Sequence, residues 1–528
     1  MKLSRISVAN HSRFSDLDIE VRDHLVLVGP NDVGKSALLR CLDLLLGAST
    51  AQLYQRLTAA DFRDPDQSLV MSAELRDLSN DDKAFFADEI TVDPAGGPVK
   101  LTIRLVVDVD AAGTLSIFRT APDSGTGRQL SREQVARLGW RLLEATGLSR
   151  DLRDDRRNAV DDILQAIDLG NEKADFEALI AQLQEKLQSS EILDTLRESL
   201  AIQLSKALPT AVQKEDLIFR QGAVAEDDVL SDVSLQVASG GDAKSLAEQS
   251  DGTRALYVIA LYDLVSAKAN IVAIDEPEIH LHPTSQRSLA GLLREGANQK
   301  LLATHSPDIV GAFTPDCIVA VRPGGAFVQP SGEFLNDDDK LRVRWWVRDR
   351  LEPLTARHVI AVEGPSDRIV LQQASEACGC NLDRLGISVI EAGGWTVMPA
   401  IIKLFGSAGF DVPMSLLIDE DAREKMADRL GVAADDLEEH STWIADPDLE
   451  AEYVEALGAN PVWEAIHASG LFSTNQKLNC ATTGPGGTRS AADVADFCRA
   501  HKVEAALIVA PLVTAAVVPN LLSGRFRN

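Results

Sequence analysis

Apolar and polar residues alternate along residues 2–10 and 16–21, the pattern of two half-buried strands, and lead into the unbroken apolar run Leu25–Val28. A strand buried on both faces has that second pattern, and here it is followed by a polar loop and an apolar helix over residues 37–46. The N-terminus is therefore expected to join the same sheet as residues 25–28. Further strand patterns lie at 69–74 and 101–107, separated by Asp-, Pro- and Gly-rich loops, and predict an antiparallel β extension. Between about 131 and 208 the spacing changes. Leu179, Ile180, Leu183, Leu187, Leu193, Leu196 and Leu200 recur every three or four positions among many charges, which predicts an inserted helical module that packs on its own chain or pairs two subunits.

Strand patterns resume at 235–239, and residues 245–265 run from a polar turn into an apolar helix. Residues 271–274 and 300–304 read as buried strands, and a Gly- and Asp-rich passage after Pro323 reads as a linker. A second α/β unit begins near Arg350, with an apolar strand ending at Glu363, a Gly-Pro turn, a helix opened by Asp367, and a strand ending in Asp419.

The first strand–loop–helix carries chemistry. Gly29, Asn31, Gly34, Lys35 and Ser36 lie in a G-x-x-x-x-G-K-S loop between a strand and a helix, the setting in which backbone N–H groups cradle phosphates. Lys35 reaches the outer phosphates of a bound nucleotide and Ser36 holds magnesium. The strand 271–274 ends in Asp275 and Glu276, placed to act on magnesium and to polarise the attacking water, and the next strand delivers His305 to a terminal phosphate. Upstream, Ser250 and Gly252 precede a helix and form a second anion-binding helix start.

This order of motifs resembles the ABC-type ATPases of the Rad50, SMC and RecF kind over residues 1–325, with 1–130 and 209–325 as its two parts and 131–208 inserted. The resemblance implies that Ser250 and Gly252 complete the site of a second subunit, sandwiching ATP in a dimer. The segment SDGTR shares only Ser and Gly with the family's LSGGQ form.

After the linker, 326–349, E-G-x-x-D after one strand and D-x-D after another put three carboxylates, Glu363, Asp419 and Asp421, at strand ends as oxygen ligands suited to Mg2+ or Mn2+. Asp419 and Asp421 are expected on one side of an extended chain end. Residues 350–528 resemble a Toprim domain with a C-terminal extension. An ABC-type ATPase joined to Toprim resembles the OLD (overcoming lysogenisation defect) nucleases, a group that includes the nuclease subunit of Gabija phage-defence systems. That resemblance implies metal-dependent DNA cleavage regulated by ATP, with Glu363, Asp367, Asp419 and Asp421 binding metal or serving as base, Asp448 and Glu450 as later acidic ligands and Lys502 stabilising charge on the cleaved phosphate. The fold class is α/β multidomain. Gly393 and Gly394 are read as allowing close packing near the metal centre, with direct DNA contact as the alternative, and a basic, Trp-containing segment at 340–350 as a phosphate-contacting patch or a docking helix.

Composition bounds the partners. The 528-residue chain has a formal net charge of -28, so contact with DNA must rest on local basic patches or bridging metal ions. Six cysteines without C-x-x-C spacing fit a reducing cytosol, and the longest apolar run, 505–518, is interrupted by Pro511 and is too short to span a bilayer. The expectation is a cytoplasmic homodimer or higher oligomer that acts on DNA, with a second protein encoded nearby as a possible partner. Two alternatives stand beside it: an ATP-gated DNA-binding sensor with an inactive or partner-dependent Toprim domain, and a strand-passage or primer-making enzyme. Strand passage calls for a tyrosine near the metals, and Tyr453 is the one late candidate.

Overall fold

A computed structural model describes residues 1–92, 97–110, 113–124, 127–144, 182, 185–208, 211–221, 233–239, 242–245, 269–279, 281–332, 334, 351–394 and 396–521. The chain forms two compact units, one built on Met1–Val328 and the other on Arg350–Asn528.

In the first unit the strands are β1 (Lys2–Ala9), β2 (Leu17–Glu20) and β3 (Leu25–Val28), followed by helix α1 (Lys35–Leu46). Then come β4 (Leu69–Arg76), β5 (Ile90–Thr91), β6 (Lys100–Val109), β7 (Leu115–Thr120) and β8 (Trp140–Glu144). Helix α2 (Glu191–Ala207) precedes β9 (Leu217–Gln221), β10 (Val233–Ser239) and β11 (Asp242–Ser245), an antiparallel three-stranded sheet. The unit closes with β12 (Ile271–Asp275), α3 (Pro283–Glu295), β13 (Gln299–Thr304), β14 (Ile318–Arg322) and β15 (Ala326–Val328).

A sheet ordered β15-β14-β3-β13-β12-β8 holds the phosphate loop. Its five strands from β14 to β8 are parallel; β3 and β12 are apolar or almost so and β13 is buried along its whole length, because both faces are covered. The expectation that the N-terminus joins this sheet is corrected: β1 and β2 pair antiparallel with each other, and β1 with β4, in a separate layer continued by β6. Their alternating burial suits a one-faced antiparallel sheet, unlike the two-faced burial of β3. Gln299 ties the layers, its side chain accepting from Leu3 N–H at 2.8 Å and donating to the carbonyls of Leu3 and Arg22 at 2.8 and 2.9 Å.

Two other boundaries differ from the sequence reading. The stretch read as helical from 131 contains β8, which pairs with β12, and Trp140 Nε1 donates to Asp43 on α1 at 2.9 Å. The stretch read as linker begins with β15, folded back antiparallel on β14 by the turn at Gly324 and Gly325. Helix periodicity is realised at α2; residues 145–181, Ser250, Gly252 and the basic segment 340–350 lie outside the described residues.

Buried Arg119 on β7 donates to the carbonyls of Ala48, Leu44 and Leu45 at 2.7, 3.3 and 3.4 Å, placing a cation at the C-terminal end of α1. It thereby fixes the helix whose first residue is Lys35.

The second unit has four parallel strands: β16 (His358–Val362), β17 (Ile387–Glu391), β18 (Met414–Asp419) and β19 (Thr442–Ala445), ordered β17-β16-β18-β19. Helices α4 (Pro365–Ala377) and α5 (Met398–Phe405) follow β16 and β17. After β19 come α6 (Leu449–Leu457), α7 (Ala491–Ala500) and α8 (Lys502–Val509), whose apolar residues Tyr453, Val454, Val494, Phe497, Ala505 and Val509 share a core with Val370 and Ala374 of α4. That core packs α6, α7 and α8 together with α4.

Candidate functional site

In the first unit, β3, β13 and β12 are neighbours, so the loops at their C-terminal ends come together. Gly29 is required by close approach: a Cβ there would lie 2.3 Å from the carbonyl oxygen of Val321. Gly34, at φ 111°, turns the chain into α1, while Asn31 is exposed in the loop. Lys35 is buried and donates to the carbonyls of Gly29 and Pro30 at 2.9 and 2.7 Å; its Nζ also lies 2.9 Å from His305 Nε2. Burial, aided by the Lys35 ammonium, holds His305 below the usual imidazole range, which suits a neutral ring accepting from Lys35. Lys35 is itself lowered by burial, against the pull of Glu276, Asp275 and Glu278.

Ser36 Oγ donates to Asp275 Oδ1 at 3.0 Å, bringing together the two residues read as magnesium ligands. Glu276 adopts φ 50°, a left-handed conformation that costs a non-glycine residue about 1–3 kcal/mol. Its N–H is held by the Ala303 carbonyl at 2.8 Å, and its Oε1 lies 3.7 Å from His305 Nε2. The structure thus brings Lys35, Ser36, Asp275, Glu276 and His305 into one place.

Glu278 belongs to the same cluster and was missed from sequence. Its Oε1 accepts the His305 N–H and its buried Oε2 has no hydrogen-bond partner. Burial pushes its proton affinity up, reinforced by Glu276. The only signal was a second carboxylate two residues after Glu276.

In the second unit, Glu363 leaves the end of β16, Asp419 ends β18, and Asp421 lies in the one-turn 3₁₀ helix Glu420–Ala422. The expectation of an extended chain at Asp421 is therefore corrected: a turn, not strand alternation, brings the carboxylates together. Glu363, Asp419 and Asp421 each offer a ligand oxygen, all within 4.8 Å of one another. The Asp419 N–H donates to Glu363 Oε1 at 3.1 Å, and the Glu363 carbonyl accepts from Gly393 and Gly394 at 3.1 and 2.9 Å. Both glycines have positive φ, and a Cβ on either would meet nothing within 4 Å. Backbone conformation rather than close packing is what demands glycine there.

Asp367 lies in the first turn of α4, which begins two residues earlier than expected, at Pro365; its Oδ2 accepts the Gly364 N–H at 2.8 Å. Lys502 opens α8 with Nζ 3.5 Å from Asp419 Oδ2 and 3.4 Å from Glu450 Oε2. Asp448 caps α6, with Oδ1 accepting the Ala451 N–H at 2.9 Å and Oδ2 accepting Arg499 Nε at 2.6 Å. Arg499 was missed from sequence, although it precedes Lys502 by three residues.

Electrostatics separates these groups. Burial, with repulsion from Asp419, Asp367 and Asp421, pushes Glu363 up to about 7. Burial also raises Asp367, Asp419 and Glu450, with Lys502 opposing in each case. Lys502 is raised because Glu450 and Asp419 outweigh its burial. Glu450 is fully buried, yet neither Oε has a hydrogen-bond partner. Converging hard oxygen donors and carboxylates raised by burial and mutual repulsion are the donor set a divalent cation satisfies. The residues fit such an ion. Tyr453 is fully buried on α6 and its phenol is shifted upward by burial, which excludes it as an exposed nucleophile.

Comparison with known proteins covers both units. The family model described as "AAA domain, putative AbiEii toxin, Type IV TA system" matches residues 25–311, and the "Overcoming lysogenization defect protein-like, TOPRIM domain" model matches 354–421. The chain is 24% identical over 432 residues to Endonuclease GajA of Bacillus cereus (strain VD045), covering 75% of this chain and 71% of that protein. It is 22% identical over 440 residues to OLD nuclease of Thermus scotoductus (strain ATCC 700910 / SA-01), covering 79% and 82%. Among solved structures, the C-terminal region of the Burkholderia pseudomallei OLD protein is 27% identical with a TM-score of 0.27, covering 32% of this chain and 96% of that one. An Smc head bound to the C-terminal winged-helix domain of ScpA is 16% identical with a TM-score of 0.40, covering 63% and 98%. Among the described residues, no helix is long and apolar enough to cross a membrane.

Proposed function

We propose that this chain, which belongs to the AAA-domain family and joins its P-loop ATPase to an OLD-like Toprim domain, is an ATP-regulated, Mg2+- or Mn2+-dependent DNA endonuclease. The observation that carries this reading is the convergence of Glu363, Asp419 and Asp421 within 4.8 Å, beside buried Glu450 and the part-exposed Lys502. The names of the two relatives, an endonuclease and a nuclease, support it.

Glu363, Asp367, Asp419 and Asp421, with Asp448 and Glu450, would hold the divalent cations. When bound, such cations neutralise the phosphodiester and lower the proton affinity of water. Glu363, at the end of β16 beside Asp419, would either hold a cation or take the proton of the attacking water. Lys502 supplies positive charge to the phosphate oxygens as the bond to the leaving oxygen breaks. Arg499 keeps Asp448 fixed at the start of α6, which carries Glu450.

In the ATPase unit, the N–H groups at the start of α1, Lys35 and His305 would bind the phosphates of ATP, Ser36 and Asp275 its magnesium, and Glu276 would orient water. We assign Ser250 and Gly252 to the facing subunit's site in a homodimer. ATP binding would then set the activity of the Toprim unit, and the biological setting would be cytoplasmic defence against phage or other foreign DNA.

The test is cleavage of supercoiled and linear DNA by purified protein with Mg2+ or Mn2+, with and without ATP, beside Asp419→Ala. Metal-dependent nicking or cutting that vanishes in Asp419→Ala is the expected result. Intact DNA in every lane would refute the nuclease reading, and cleavage unaltered by ATP would refute the regulation.

A further inference from the structure

We propose that Glu278 is a positioning residue of the nucleotide site, clamping the acidic loop after β12 to the histidine loop after β13 so that Glu276 and His305 keep one register. This rests on the ATPase reading and adds a residue to it. The two loops leave the sheet side by side: the last paired residues of β12 and β13 are Asp275 and Ala303, and the Glu276 N–H still reaches the Ala303 carbonyl at 2.8 Å. Beyond that bond Glu278 takes over, its Oε1 accepting the main-chain N–H of His305. Thr304 at the end of β13 also favours the Glu278 carboxylate through its side chain.

The clamp is costly as packing alone. A carboxylate withdrawn from water with one buried oxygen unpartnered is a poor space-filler, and an apolar side chain would fill the same volume without penalty. What an apolar side chain lacks is an acceptor for the His305 N–H. The anchored residue matters for chemistry because His305 Nε2 lies 2.9 Å from Lys35 Nζ and 3.7 Å from Glu276 Oε1. On the other side Ser306 Oγ donates to Gln286 of α3 at 2.5 Å and accepts the Ile309 N–H at 3.2 Å, so the loop is pinned on both flanks of His305.

The experiment compares Glu278→Ala and Glu278→Gln in the full-length chain by amide hydrogen exchange of the 305–310 segment, ATP turnover and thermal melting. Glutamine keeps a carbonyl oxygen for the His305 N–H; alanine does not. Glu278→Ala should speed exchange at His305 and lower kcat by about 10- to 100-fold, with KM for ATP within about threefold, as expected for loss of one charge-assisted hydrogen bond. Glu278→Gln should restore both to within about threefold. Unchanged exchange in Glu278→Ala, a glutamine variant as impaired as alanine, or a loss of turnover that merely follows melting temperature would each overturn the proposal. If the wild-type chain fails to turn over ATP, the ATPase reading falls separately, and the exchange comparison still decides whether Glu278 anchors His305.

Discussion

Lys502 Nζ and Glu450 Oε2 face each other across 3.4 Å, with Glu450 fully buried and neither of its oxygens in a hydrogen bond. The lysine is therefore the compensating charge for a carboxylate that water does not reach. It also touches Asp419, so one ammonium serves two carboxylates of the Toprim centre.

Lys502→Ala should lower the melting temperature in chelator and reduce DNA cleavage by about 100- to 1,000-fold, the scale of removing one preorganised charge from a phosphoryl-type centre. Because the Lys502 side chain is 43% exposed, the stability loss should be modest, about 1–2 kcal/mol, below the cost of breaking a wholly buried pair. Adding Mn2+ should recover the melting temperature and leave cleavage impaired. Recovery of both would remove Lys502 from the reaction.

The pH dependence follows from Glu363, raised from 4.5 to about 7 by burial and its carboxylate neighbours. The folded form binds the proton more tightly than the unfolded form, so the stabilising contribution is complete below about 4.5 and is lost as pH rises through about 7. Melting temperatures of the metal-free protein should fall across that window, and Glu363→Gln should flatten the fall. Since a cation must displace the same proton, Mn2+ affinity measured by calorimetry should tighten with pH up to about 7 and then level off. Affinity independent of pH below 7 would show that Glu363 is not a ligand.

Much of this chemistry was legible because it lies at the ends of apolar strands. Leu25–Val28 and Ile271–Asp275 read as buried, and the loops after them carried Lys35, Ser36, Asp275 and Glu276 into one cluster. What escaped was set by contacts between distant segments. Glu278 is defined by a main-chain N–H of the next strand's loop, and Arg499 by a carboxylate that caps another helix. Strand β8 escaped because WRLLE mixes charged and apolar residues at the sheet edge, where it resembles a helical turn. The N-terminal strands were recognised as strands, but alternation does not say which sheet they join.

Lys35→Ala should abolish nucleotide binding, measured with a fluorescent ATP analogue, while Mn2+ binding by the Toprim unit stays within about twofold. The two compact units have separate cores and each cluster lies within one of them, so energetic independence at this level is expected. Equal loss of both ligands would refute the two-module division of chemistry.

Glu276→Gln separates binding from turnover. Glu276 holds its left-handed conformation by its main-chain N–H, and glutamine preserves that N–H and the side-chain length. The phosphate loop and Ser36–Asp275 pair are untouched, so ATP should bind within about threefold of wild type. Removing the carboxylate deprives water of its acceptor, and turnover should fall by about 100- to 10,000-fold, the range of general-base catalysis. The resulting ATP-loaded protein is the reagent that reads the sign of regulation: DNA cleavage by Glu276→Gln with ATP, compared with Lys35→Ala without it, isolates the bound nucleotide from its hydrolysis. Unchanged turnover in Glu276→Gln would remove Glu276 from water activation.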